Sequence, residues 1–419
     1  MSQPDADTRE GRRSRLRRMV GRDPGEGGRS ATPLELLFDL VFVVAFAQAG
    51  AAAAHLIAEG HIAAALAGFG FAMFAIVWAW INFTWFASAF DTDDWFYRVT
   101  TMVQMVGALV LALGIPAMFH SIDAGEPLDN AVMVAGYIVM RVAMMTQWLR
   151  VARDDATHRR SALTYALTIL IAQVGWVVLL VAHIESLVLY LVAAVVLYVI
   201  ELAGPVIAER QADGTPWHPH HIAERYGLLT IIALGEGILG TVAAVSAIVQ
   251  EQGWSPEAIA VVIAGIALTF GLWWVYFIPP WGHLLEVRRG VSFGWGYGHI
   301  LLFAAIAAVG AGIHVAAYVV EGSAEIGTVG ALLSTVVPVV LFLVVYFVIY
   351  SAAVRELDPF HLGLFAAALA VLAGAVWLAS AEIGLGIPLI VAAAAPFVIV
   401  VGYELIGHRH MTAVLERRI

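Results

Sequence analysis

The apolar residues of this chain fall in blocks of about 20, the length a helix needs to cross roughly 30 Å of hydrocarbon. Only short polar stretches separate them, so no large soluble domain fits between one block and the next. The chain therefore reads as an all-α integral membrane protein. Composition agrees: 61% of residues are hydrophobic and 13% charged, with a mean hydropathy of +0.86, against about 25% charged in ordinary soluble domains. A soluble globular enzyme, a nucleic-acid-binding protein and a disordered chain are all excluded.

Residue types that are missing narrow the chemistry further. With no cysteine, the chain has no disulfide, thiolate metal site, iron–sulfur cluster or cysteine nucleophile. All 22 basic residues are arginine, which removes Schiff-base chemistry, a P-loop lysine and a lysine general base. Gly294-Trp295-Gly296-Tyr297-Gly298 lacks the Lys and following Thr of a phosphate loop, and neither Gly-x-Ser-x-Gly nor His-Glu-x-x-His occurs. The expectation is a non-enzymatic protein with no cofactor and no bound metal.

Apolar runs bounded by charges, Gly/Pro or polar clusters predict about twelve transmembrane helices: 33–54, 62–87, 97–119, 130–150, 161–183, 186–208, 226–249, 257–278, 296–320, 328–351, 360–380 and 386–407. The arginines check this count. Twenty-one fall in the terminal tails or in alternate connections, all on one side, and the remaining one, Arg141, lies inside the fourth span. Positive charge stays cytoplasmic, so both termini are expected inside a plasma-membrane protein. The opposite face carries acids only, among them Glu59, Asp123, Glu185, Glu321 and Glu382, read as solvated loop ends. Residues 1–32 lack the apolar core of a signal peptide. They read as a disordered, Arg-rich cytoplasmic tail whose Arg12–Arg18 stretch suits either solvent or anionic lipid.

The halves look duplicated. Asp39 in span 1 precedes Trp78 by 39 residues, and Glu236 in span 7 precedes Trp274 by 38. Val174-Gly175-Trp176 matches Ala375-Val376-Trp377, and Glu185 matches Glu382, with all offsets between 196 and 201. Six spans per half is an even number, so a parallel repeat is expected, as some transporters have. The partition is then 33–208 and 226–407, joined by a cytoplasmic linker at 209–225 and followed by a tail at 408–419.

Ionisable residues inside a bilayer cost several kcal/mol each and point to function. Five matter: Glu35, Asp39, Arg141, Glu201 and Glu236. At 1.5 Å per residue, Asp39 lies about 9 Å in from Pro33, and Arg141 and Glu201 each about 14 Å in from a terminal arginine. Thr32-Pro33-Leu34-Glu35 is also a capping box with Pro at the first helical position, so Glu35 reads as a cap or a ligand. Arg141 needs a carboxylate, which Asp39 or Glu201 can supply. The repeat equivalent of Arg141 falls near Leu341, which leaves Glu236 without a cation in its own half and makes it the candidate titrating or cation-binding group.

Two connections stand out. Asp91-Thr92-Asp93-Asp94 precedes span 3, where acids suit a helix N-terminus better than a divalent metal. In Trp217-His218-Pro219-His220-His221-Ile222-Ala223-Glu224-Arg225, His221 and Glu224 share a helix face, and the stretch reads as an amphipathic interface turn anchored by Arg225.

These residues also carry a resemblance. Thr32-Pro33-Leu34-Glu35-Leu36-Leu37-Phe38-Asp39-Leu40-Val41-Phe42-Val43, Phe90-Asp91-Thr92-Asp93-Asp94-Trp95 and the segment from His221 to Glu236 resemble signatures of the bacterial low temperature requirement A family. The resemblance implies a multi-pass plasma-membrane protein and marks Glu35, Asp39, Glu224, Arg225 and Glu236 as signature positions. It implies no substrate. One departure is Gly237, where the family often carries Ser, so a hydroxyl ligand is missing here. The expectation that follows is a proton- or cation-coupled transporter or permease for a small cation or polar solute. The alternative is a non-transporting assembly or cold-stress factor whose buried charges are structural pairs.

Overall fold

A computed structural model describes residues 16–211, 214–381 and 383–411. Arg9, Arg12, Arg13 and Arg15, the outer acid Glu382 and the tail beyond Met411 lie outside the described residues. The regular elements are α1 (Pro33–Ala58), α2 (Ile62–Phe90), α3 (Trp95–Asp123), α4 (Ala131–Asp154), α5 (Arg159–Val181), α6 (Leu187–Glu209), α7 (Pro219–Gln252), α8 (Pro256–Tyr276), the short α9 (Trp281–Val287), α10 (Ser292–Glu321), α11 (Thr328–Val354), α12 (Pro359–Ser380) and α13 (Gly386–Gly402). Among the described residues there are no strands. Twelve segments among the described residues are long and apolar enough to cross a membrane, with α9 continuing the α8 segment. The protein is a multi-pass helical membrane protein.

Local chemistry sets the helix ends. Asp94 caps α3 by accepting from the Tyr97 amide, and Ser186, Ser255 and Asp358 cap α6, α8 and α12 in the same way. Pro256 and Pro359 occupy first-turn positions where no amide is needed. Gly322 ends α10 with φ +86°, a backbone conformation that side chains resist. The helices follow the expected spans closely except at α7. That helix starts seven residues early because His218 accepts its first backbone bond and Pro219 takes the first helical position. The last seven residues of the expected 209–225 linker are therefore helix.

Contacts divide the chain into two units. One holds the residues up to Ala45 together with Trp78–Arg225; the other holds Phe46–Val77 together with Tyr226 onward. The division cuts α1, α2 and α7 within their lengths, where the sequence suggested a cut between helices.

The first unit is knitted by close helix crossings. A Cβ at Gly136 would overlap the Leu111 backbone, and one at Gly107 would lie 2.7 Å from the Gly136 carbonyl, so α3 and α4 meet backbone to backbone. Trp148 of α4 stacks on Tyr165 of α5 at 4.1 Å and meets Phe86 of α2 edge-on at 4.8 Å. Residues 16–32, expected within a disordered tail, instead form a strap. The amides of Met19 and Gly21 donate to Asp154 and Asp155, the Arg22 amide to the Ala89 carbonyl and the Arg29 guanidinium to the Ala87 carbonyl. Met19 is fully buried.

In the second unit, α10 and α11 cross at Gly312 and Ser334, where a Cβ would again strike backbone. In the first unit α3 and α4 also meet at Gly114 and Met133, so a glycine closes a helical hairpin in each unit. Buried His299 sits among Tyr226, Trp295, Phe303, Tyr276 and Trp281. Its Nδ1 donates to the Trp295 carbonyl at 2.7 Å and its Nε2 accepts from the Tyr276 hydroxyl at 3.1 Å.

The crossings predict a steep penalty for bulk. Gly136→Leu is expected to lower stability by about 2 kcal/mol or more, read as a fall in the thermal midpoint of detergent-solubilised protein. Gly363→Leu, at a glycine with nothing within 4 Å of an added Cβ, is the control and leaves the midpoint unchanged.

Candidate functional site

Buried charges in the spans form three groups: two in the first unit and one in the second. In the first group, Glu35 and Asp39 stand one turn apart on α1, and His221 and Arg225 one turn apart on α7. The spacing of four residues on each helix aligns both pairs on single faces. Arg225 reaches Glu35 at 2.7 Å and also bonds Asp39, and His221 Nε2 lies 3.3 Å from Glu35. The Trp80 indole donates to Asp39 at 2.7 Å. All four ionisable side chains are fully buried. Glu35 also accepts from the Thr32 amide and hydroxyl at 2.8 and 3.0 Å, so the capping box forms and the same carboxylate serves an ion pair.

Two expectations change here. Arg225 is no interface anchor: it is the counter-ion of both α1 acids. Its partner in the buried face is His221, not Glu224. Glu224 is exposed and accepts from the Ala31 amide of the strap at 3.2 Å. His218 is engaged too, with Nε2 3.0 Å from the Glu26 carbonyl and Nδ1 accepting from the His221 amide.

The second group answers which acid neutralises Arg141. It is Glu201, bonded directly to the guanidinium. Glu201 also accepts from the Trp78 indole at 2.8 Å, the Tyr137 hydroxyl at 3.0 Å and the Gln173 amide at 3.4 Å. Helices α2, α4, α5 and α6 thus converge on one buried carboxylate. A charge so fully paired and hydrogen-bonded has the form of a scaffold.

The loop Asp91–Asp94 is built from its own acids. Asp91 accepts from the Asp93 amide at 2.7 Å, and Asp93 turns the chain with φ +47° while gripping Arg98 at 2.8 and 2.9 Å. Asp94 caps α3, accepts from the Arg17 amide and pairs with Arg150. Burial opposes the charge on Asp94, but Arg150 and the two amides outweigh it and hold the carboxyl below its usual range. For Asp91 the help is weaker: the Asp93 amide and the charges of Arg29 and Arg22 do not offset burial. Burial, reinforced by the nearby Glu35 charge, pushes it up to about 6.

Glu236 forms the third group. It lies midway along α7, about 24 Å from either end. It is half-buried, and no ion pair or hydrogen bond reaches it among the described residues. Its carboxylate borders a small cavity walled by Phe46, Gly50, Gly237, Gly310 and His314. Gly237 and Gly310 bring α7 and α10 within touching distance of their backbones. Of the five buried ionisable positions read from the sequence, the four in the first unit each pair with an opposite charge, and Glu236 pairs with none among the described residues. Sequence reasoning missed His314, the second of two histidines in the Ala/Gly-rich α10, with no motif around it. It also missed Trp78 and Trp80 as indole donors. The signal for Arg225 was present, in the matching four-residue spacings of Glu35/Asp39 and His221/Arg225.

The family model of the bacterial low temperature requirement A protein (LtrA) matches residues 30–396. An uncharacterized protein of Rhizobium meliloti (strain 1021) is 28% identical over 250 residues, covering 58% of this chain and 57% of that protein. The match thus spans little more than half of the relative's length. No solved structure matches the chain.

Two outcomes follow from these charges. Arg141→Met strands Glu201 in the core and is expected to cost about 3–5 kcal/mol, whereas Arg141→Met with Glu201→Leu recovers most of the loss; thermal melts of the three proteins check it. For Asp91, the folded state favours the protonated acid. Folding therefore takes up a proton between about pH 4 and 6, and stability falls as pH rises through that window. Asp91→Asn keeps the acceptor for Asp93 and removes the titration. It should be more stable than wild type above pH 6, by up to ~3 kcal/mol, with the gap closing by about pH 4.

Proposed function

The chain belongs to the bacterial low temperature requirement A (LtrA) family, and from that premise we propose that it is a transporter or permease coupled to protons or a small cation. It acts on a small polar solute, in the plasma membrane, with both termini cytoplasmic. One observation carries this reading: Glu236 is a carboxylate at the middle of a spanning helix, beside a cavity, with no counter-charge among the described residues. A buried acid without a cation is costly to keep ionised, so the group is suited to pick up and release a positive charge. The arginine distribution supports the orientation. The absence of a nucleotide motif favours an ion gradient over ATP as the driving force, and nothing in the sequence favours an enzyme.

The paired groups of the first unit take a different part in this reading. Glu35, Asp39 and Arg225, and separately Arg141 and Glu201, hold helices in register and carry no ion. Arginines near the N-terminus provide a contact for anionic lipid, at about 1 kcal/mol per basic residue near the surface.

The test is reconstitution into liposomes with gradients of H⁺, Na⁺, K⁺ and Mg²⁺ imposed one at a time, and currents recorded on a supported membrane. Wild type should respond to at least one gradient, and Glu236→Gln should lower that response at least about tenfold without lowering the melting temperature. A wild-type protein that carries no ion favours the assembly or cold-stress reading.

A further inference from the structure

Glu236 does not border its cavity alone. His314, on α10, lines the same space, and its ring lies over Gly240, where a Cβ would overlap Nε2. Gly240 is four residues beyond Glu236, about 6 Å of rise along α7, so the imidazole stands against the helix one turn from the position of Glu236. The walls come from α1 (Phe46, Gly50, Ala51), α7 and α10, and they bring no other titratable or charged side chain to the cavity. Further along α1 come His55 and Glu59, partly exposed at the helix end and paired at 3.4 Å.

The cavity discriminates among coupling species. A hard cation takes about six to eight oxygen ligands, and here one carboxylate faces glycine, alanine and phenylalanine. Transition metals hold at least three protein ligands, counting imidazole, and the walls offer two. The Gly237 carbonyl is already engaged by the Thr241 hydroxyl at 2.7 Å. The space beside Glu236 open to the centre of a water molecule is about 10 Å³, room for about one water. One carboxylate, one water and one imidazole suffice for a proton.

We propose that Glu236 and His314 form a two-station proton relay, so that the coupling ion is H⁺. The Glu236 O–H bond breaks as the bridging water accepts its proton, a water O–H proton passes to one His314 nitrogen, and the other ring nitrogen releases its own. Nothing is oxidised or reduced. This inference rests on the transport reading above, and the glycines at 237, 240 and 310 give the relay its place by keeping side chains out of the space between the stations.

The experiment uses liposomes holding the full chain and a trapped pH dye, with a potassium–valinomycin potential and no sodium or divalent metal. Wild type should acidify or alkalinise the lumen according to the sign of the potential. His314→Gln should cut the proton rate at least about tenfold, and the Glu236→Gln, His314→Gln double variant should be no slower than the slower single. His314→Ala with added imidazole should regain rate, which keeps the relay testable if the Gln variant folds poorly. Infrared difference spectra on a pH jump should show a protonated-carboxyl band that Glu236→Gln removes. Wild-type proton flux unchanged in folded His314→Gln overturns the relay and leaves the transport reading standing. So does a wild-type flux that needs Na⁺ or a metal ion in place of protons. A wild type that moves no ion overturns both.

Discussion

The Arg225 guanidinium between Glu35 and Asp39 is the contact on which the first unit turns. Two acids on one helix and a base on another, separated in sequence by 186 residues or more, are all removed from solvent. Taking a charge out of water costs several kcal/mol, and attraction repays it only when geometry and hydrogen bonding are nearly complete. Here Thr32, Trp80 and His221 supply the extra bonds. Removing any one partner would leave a charge with nowhere to go, so the start of α1 and the first turns of α7 are fixed together. With an imidazole as the fourth member, the cluster has net charge −1 when His221 is neutral and zero when it is protonated.

That arrangement throws the second unit into relief. Every buried acid within the helices of the first unit faces a cation; Glu236 in the second has none among the described residues. The difference follows from the placement of the arginines. Glu201 has Arg141 and the α1 acids have Arg225, but α10 and α11 carry no arginine at all. A chain that spends basic residues so consistently on its buried acids, and omits one at a glycine-lined cavity, distinguishes the positions that hold the fold from the one left able to change its charge.

The spans were legible because length and hydropathy are local properties, and the alternation of arginines gave an independent check. The start of α7 was not, because two histidines, a glutamate and an arginine depress hydropathy over its first turns. A window average reads such a stretch as linker even when Arg225 and His221 are paired and buried. The choice between Asp39 and Glu201 for Arg141 was equally out of reach. Depth along each span can be counted from the sequence, but rotation about the helix axis cannot, and a partner is chosen by rotation. Capping was readable at Thr32–Glu35 and at Asp94, since both act within four residues. His314 had no local signature whatever; its role comes from Gly240 across a helix interface.

The strap at residues 16–32 has a consequence for how the protein is made. Its amides and the Glu26 carbonyl are satisfied by partners such as Asp154, Asp155, Ser88-anchored His218 and Glu224, up to 193 residues later in the chain. The ribosome delivers the strap well before those partners, so it has to wait in solution while the helices that receive it are inserted one by one. Its docking is then a closing step of assembly, which can proceed only when α2, α4 and the start of α7 are already in place. A segment of this kind reports completion: its protection from protease or from a charge-directed label would rise late, after the spans that receive it have entered the bilayer, and would mark the moment at which the first unit has closed.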